Sequence, residues 1–221
     1  MTQIVPAHSV TERAAIMLED AELGIHVGIV YRAAKAPAPR VLHLKWNYQL
    51  ADDALASGQT QFRAVVPAID PFELDVLAAC CVVRAKQKQD IPFGFRHHAS
   101  SFAPKDGSFV PGAGETGLTC STFVLAMLDW ARITLIEKTT WQGRSSQRRT
   151  ADNIFWKKLL DFLRKTANAP KTQLDALESE TDAIRFRPEE VAAASAVAVR
   201  PMHFVNAEPA GVALSNQFYG V

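Results

Sequence analysis

The 221-residue chain has no run of about 18 apolar residues, so no stretch has the length of a membrane-spanning helix. It also lacks an excess of either charge. Its 24 Lys and Arg offset 23 Asp and Glu, leaving a net charge of +1. A chain so nearly neutral presents no broad field to a nucleic acid or an anionic bilayer, and neither is expected as a partner. The one basic run, Arg144-Ser145-Ser146-Gln147-Arg148-Arg149, reads as a solvated loop. Cysteine is scarce: Cys80, Cys81 and Cys120. Two of the three are adjacent, and adjacent cysteines rarely meet disulfide geometry. No disulfide framework is expected, which fits a reducing compartment and a cytoplasmic protein. Met1-Thr2-Gln3-Ile4-Val5-Pro6-Ala7-His8 has no charged segment followed by an apolar one, so no secretion signal is expected. Internal repeats and low-complexity tracts are missing too. The glycine-rich 112–117 segment is not followed by Gly-Lys-Ser/Thr and is not a phosphate loop. His97 and His98 are adjacent, would point apart on an extended chain, and have no cysteine or carboxylate at ligand spacing; neither a metal nor a cofactor is expected.

What is present is enough apolar residue, 48% of the chain, to bury one core. Residues 10–23 fit either a short helix or a first strand. Ile25-His26-Val27-Gly28-Ile29-Val30-Tyr31-Arg32 is β-branched and aromatic and reads as a strand. Pro37 and Pro39 mark a loop, and residues 40–48 read as the returning strand of a hairpin. A further short strand is expected at residues 62–66. Asp70-Pro71-Phe72-Glu73 announces a helix, with a capping aspartate, proline at the first position and glutamate at the third. That helix is expected to bury Leu77, Cys80, Cys81 and Val83, and to end among Lys86, Lys88 and Gln89. Residues 90–117 read as a long loop, with some of Phe93 to Arg96 extended, and a connection of that length is usually functional or mobile. A helix follows over about 119–131, another from Thr150 to the Asn168 and Pro170 breakers, and an alanine-rich one from Pro188 to about Ala196. The tail reads as irregular, with an edge strand at residues 202–205. The expectation is a single α+β domain over residues 1–221: an antiparallel sheet packed on the Cys120 helix, with the core at about 24–131 and helical additions at about 150–200.

Cys120 stands where a glycine-rich loop runs into an apolar helix. Helix N-termini leave N–H groups unpaired and carry the positive end of the macrodipole, which biases a thiol towards thiolate. A cysteine hydrolase also needs an imidazole within reach and a polar group to orient it. His26 lies on the first strand of the hairpin, and His43, Lys45 and Asn47 share a face of the second. Depending on loop register, either His43 or Asn47 stands opposite His26. Trp46, Asn47 and Thr119 are the residues expected to touch substrate, and Phe93 and Phe95 are further candidates to line a groove. His8 and His203 read as structural.

The order His26-Val27-Gly28-Ile29-Val30, then Arg40-Val41-Leu42-His43-Leu44, then Thr119-Cys120-Ser121-Thr122-Phe123-Val124 resembles the circularly permuted NlpC-type papain-like cysteine peptidase superfamily. That group includes relatives of lecithin:retinol acyltransferase. The resemblance covers about residues 24–131. It implies a permuted papain-like fold with Cys120 as nucleophile, His26 as general base and His43 as the orienting residue. It further implies a cysteine hydrolase or acyltransferase acting on an amide or ester carbonyl through a thioester, foremost a peptidase or amidase. The alternatives are a lipid acyltransferase or thioesterase, and a non-catalytic binding module of the same fold. The partner is then a peptide or lipid-like substrate. Two features depart from the pattern: the hairpin loop is long, and Thr119 stands where aspartate or asparagine often precedes the cysteine.

Overall fold

The computed structural model describes residues 2–34, 36, 38–87, 89–166 and 169–221. Pro37, Lys88 and Asn168, which entered the loop and helix-end expectations, lie outside the described residues. The architecture is α+β. A six-stranded antiparallel sheet comprises β1 (Ile4–Pro6), β2 (Ala14–Ala21), β3 (Gly24–Tyr31), β4 (Arg40–Trp46), β5 (Gln49–Ala54) and β6 (Phe62–Val65). Their spatial order is β1-β6-β2-β3-β4-β5. The α-helices among the described residues are α1 (Pro71–Lys86), α2 (Cys120–Trp130), α3 (Ser146–Thr166), α4 (Lys171–Glu178), α5 (Pro188–Ser195) and α6 (Phe204–Tyr219). A two-stranded ribbon, β7 (Ser101–Phe102) with β8 (Phe109–Val110), lies between α1 and α2. Among the described residues no helix is long and apolar enough to cross a membrane.

Alternation along the strands divides the sheet into two faces. Ile16, Leu18, Val27, Ile29, Leu42 and Leu44 point to one side and join the large core made with the helices. Ala15, Met17, Val30, Val41 and Ala64 point to the other, where Ala7 and Val10 of the N-terminal segment cover them. The helix that brings the cysteine to the sheet is apolar almost all round, with Phe123 to Leu128 buried. A helix buried on every side is fixed in rotation as well as position.

Several elements differ from the sequence expectation. Residues 10–23 resolve into the strand β2. The polar stretch Gln49–Ala54 is an edge strand, reached through a two-residue turn with Tyr48 at φ 59°. In α1, Asp70 caps as expected, its Oδ1 accepting the Phe72 N–H at 2.9 Å. Its buried face, however, runs through Leu74, Leu77, Ala78, Cys81 and Arg84, while Val83 is exposed and Cys80 half-buried. The run 144–149 is not a solvated loop: most of it begins α3, and Arg144 is buried between Asp152 and Glu190 at 3.0 and 2.7 Å. Residues 202–205 form no edge strand. Met202 makes one bridge to Ile136, and the chain then enters α6, whose Gly211 packs against Glu190 of α5 where a Cβ would meet the Glu190 backbone at 3.1 Å.

The 90–117 segment has little regular structure but is tied down by buried polar side chains. Asn47 Oδ1 accepts the Phe93 N–H (2.8 Å), and Glu180 Oε2 accepts those of Phe95 and Arg96 (2.7 and 3.0 Å). Glu115 accepts the N–H groups of His98, Ala99 and Ser100 as well as the Ser100 hydroxyl. Gly94 crosses Gly117 so closely that a Cβ on either would collide with backbone. Each carboxylate takes several donors that a loop would otherwise leave unpaired.

Candidate active site

Cys120 is the first residue of α2, and Thr119 is its N-cap. Thr119 Oγ1 accepts the Thr122 N–H (3.3 Å) while Thr122 Oγ1 accepts the Thr119 N–H (2.7 Å), a reciprocal cap that fixes the first turn. The cap leaves the first-turn N–H groups of Cys120 and Ser121 outside the intrahelical ladder.

The β3–β4 ladder is paired only from Ile29↔Leu42 to Tyr31↔Arg40. Val27 lies beyond the last pair, and its N–H acts on the Cys120 thiol, lowering its pKa. The His26 side chain, on the same half of β3, acts on the thiol as well. Burial alone would push the Cys120 thiol up. The charge of His26, its hydrogen bond, the Val27 N–H and the Ser121 hydroxyl outweigh burial and hold the thiol below its ordinary range. His26 responds in the opposite sense. Burial would lower it, but the Cys120 charge and hydrogen bond, with Glu19 adding, raise it above the usual histidine range. Both shifts favour a thiolate–imidazolium pair.

His26 Nε2 lies 2.8 Å from His43 Nδ1, and His43 Nε2 lies 3.2 Å from Asp53 Oδ2. One assignment satisfies both contacts: Asp53 accepts the His43 Nε2–H, and His43 Nδ1 accepts the His26 Nε2–H, which leaves His26 Nδ1 outside the line. Burial and the neighbouring His26 charge push His43 down to about 4, so it is neutral at physiological pH, as an acceptor must be. His43 is 1% exposed and packs edge-on to Phe62, which fixes its plane.

The two histidines do share a sheet face, but neither His43 nor Asn47 stands directly opposite His26. Extending the observed register puts His43 opposite Gly28, so it reaches His26 diagonally. A Cβ on Gly28 would lie 2.6 Å from the His43 Cβ; the missing side chain is what lets His43 lean across. Asn47 is buried elsewhere, bonded to Phe93 and Gln173, and does not line the cleft. His97 and His98 lie apart from this group: His97 Nε2 meets Lys138 Nζ at 3.1 Å, and burial pushes it down to about 3.

Cys120 lines a cleft of about 430 Å³. Trp46, Phe93, Phe155, Trp156, Phe162 and Phe186 form much of its wall, and Thr119 lies at its edge. Trp46 packs edge-on to both Phe93 and Phe162. Phe95 lies in the core instead, stacked on Trp156 at 4.5 Å.

Two residues near the histidines carried no signal in the sequence. Asp53 depends on β5, which the polar stretch did not announce. Glu19 pairs with His26 across β2–β3, and burial raises its pKa. Donor atoms of Glu19, His26 and His43 lie within 4.8 Å of one another, a set that could hold a divalent ion in place of the proton shared by the histidines. No protein-family model matches the chain, and neither a curated protein nor a solved structure does.

Proposed function

We propose that the protein is a cysteine hydrolase or acyltransferase of the permuted papain-like kind, acting on an amide or ester carbonyl. The observation that carries this reading is the line of contacts from His26 through His43 to Asp53 beside a thiol at a helix N-terminus, each of the pair Cys120 and His26 shifting the pKa of the other. The Cys120 thiolate adds to the carbonyl carbon, and the resulting oxyanion faces the first-turn N–H groups of α2. The His26 imidazolium gives its Nδ1 proton to the leaving amine or alkoxide as the carbonyl re-forms, leaving a thioester. Neutral His26 then takes a proton from water or another acceptor, whose oxygen or nitrogen displaces the Cys120 sulfur and releases the acyl group. His43 is a positioning residue in this scheme, and Asp53 holds its tautomer. A reducing, cytoplasmic setting suits such a working thiol.

A peptidase or amidase is the first form of this reading. The aromatic wall of the cleft favours a second, a lipid acyltransferase or thioesterase, because burying an acyl chain there would gain about 0.8 kcal/mol per methylene. Incubation with p-nitrophenyl acetate tests the common chemistry. The expected result is a burst of nitrophenol and an acetyl group on Cys120 by peptide mass spectrometry, both absent in Cys120→Ser. Acetylation that is no faster at Cys120 than at Cys80 would leave a non-catalytic module of the same fold.

A further inference from the structure

Among the side chains lining the cleft, Arg185 stands out because its guanidinium has only one long ion-pair contact among the described residues. Its guanidinium lies over the Phe155 ring, 3.3 Å from the centroid, and 5.9 Å from that of Trp156. That stacking fixes its plane and leaves the N–H edges free. Among the described residues no acceptor lies within hydrogen-bonding distance of those edges. The nearest ion-pair contact is Asp152 at 3.9 Å, and Asp152 is already engaged: Oδ2 by Arg144 at 3.0 Å, Oδ1 by Arg187 at 2.8 Å. Glu189 and Asp152 pull the Arg185 pKa up, Arg187 pushes it down, and the Cys120 charge also reaches it. Burial outweighs these and lowers it to about 10, so it remains cationic at neutral pH. The side chain is only 17% exposed. A partly desolvated arginine with unfilled donors is costly unless something else fills them.

We propose that Arg185 binds a carboxylate of the substrate, so that the acyl compound accepted by this cleft carries an anionic group near its reacting carbonyl and an apolar or aromatic body. The planar fork, held by Phe155 beneath it, is suited to bidentate pairing with a carboxylate. The aromatic wall takes the rest of the molecule. This inference rests on Cys120 being the nucleophile.

Iodoacetate and iodoacetamide test it, because each loses iodide to the Cys120 thiolate and they differ in charge. The readout is the ratio of their alkylation rates at Cys120, divided by the same ratio in the denatured chain. The expected wild-type value exceeds one. It falls by about threefold or more in Arg185→Gln, as removal of a nearby charge in a partly buried site requires, and it is retained in Arg185→Lys. Glu189→Gln raises it, which keeps the test decisive if Arg185→Gln does not fold. An unchanged ratio in both Arg185→Gln and Glu189→Gln would overturn the proposal. So would an equal loss of rate for both reagents in Arg185→Gln, since Arg185 would then serve the thiolate and not the ligand. If iodoacetamide alone does not prefer Cys120 to Cys80 at neutral pH, the nucleophile reading fails and takes this inference with it.

Discussion

Two residues of one type, 2.8 Å apart, are shifted in opposite senses: His26 is raised by Cys120 against the pull of burial, and His43 is lowered by burial and by His26. The shifts differ because Cys120 acts on His26 and not on His43. Asp53, on the outer side, is half exposed and acts mainly as an acceptor. Asp53→Asn is therefore expected to slow acylation of Cys120 by roughly tenfold, the worth of one hydrogen bond, with the fold intact. Burst kinetics beside a thermal melt would check both halves. His43 also makes stability depend on pH. It protonates at about 4 when folded and near 6.5 when unfolded, so the unfolded chain binds more protons between those values. Its contribution is complete above about 6.5 and is lost as pH falls towards 4. His97, pushed down to about 3, has the same sign. Urea titrations of His43→Asn should show a shallower fall in stability across this window than the wild type. Cys120 and His26 were legible from the sequence because a helix start and a β-branched strand have local signatures. His43 and Asn47 could not be separated, because the choice depended on a register that an open-ended loop does not set.

At the scale of elements, that register is made workable by an absence of side chain. A Cβ on Gly28 would meet the His43 Cβ, the Met17 Cε at 2.9 Å and the Leu42 carbonyl oxygen at 3.0 Å. Gly28→Ala is expected to cost about 1–3 kcal/mol by overpacking and to slow Cys120 alkylation by displacing His43. A denaturation curve and an iodoacetamide rate read the two effects separately. The cap on α2 is a second such device, and Thr119→Val should lose about 1 kcal/mol of stability through the unpaired Thr122 N–H. Elements with terminal chemistry in their own sequence were legible, as Asp70-Pro71 shows for α1. Those shaped by distant contacts were not. The β5 strand has two aspartates and no apolar alternation because it is a sheet edge; its Asp52 answers Arg40 and its Asp53 answers His43. The tail reads as irregular, yet α6 runs through Pro209, and Gly211 is what allows it to touch α5.

At the scale of the molecule, the C-terminal helices complete the cleft. α3 contributes Phe155 and Trp156, and the segment entering α5 contributes Arg185 and Phe186. They are joined behind the cleft by buried charges: Arg144 bonds Asp152 of α3 and Glu190 of α5, and Trp141 Nε1 donates to the same Glu190 oxygen at 3.2 Å. Burial raises the Glu190 pKa while Arg144 lowers it, and removing Arg144 would leave buried Glu190 without its ion-pair partner and Asp152 to Arg187 and the more distant Arg185. Arg144→Met is expected to lower stability by about 3–5 kcal/mol, measurable by chemical denaturation. The basic run around Arg144 looked solvated because its acidic partners are 8 and 46 residues away in sequence. The α+β class and the hairpin were legible; the part of the cleft built by residues beyond 131 was not, because nothing local in those helices points to Cys120.

In the proposed mechanism His26 holds Cys120 as a thiolate at neutral pH. The pH dependence of Cys120 alkylation by iodoacetamide, measured beside His26→Ala, tests it most directly. The expected wild-type profile keeps substantial reactivity well below the free-thiol pKa of about 8.5, and in His26→Ala the inflection moves up to or beyond that value. Superimposable profiles for the two proteins, both rising only near the free-thiol range, would contradict it.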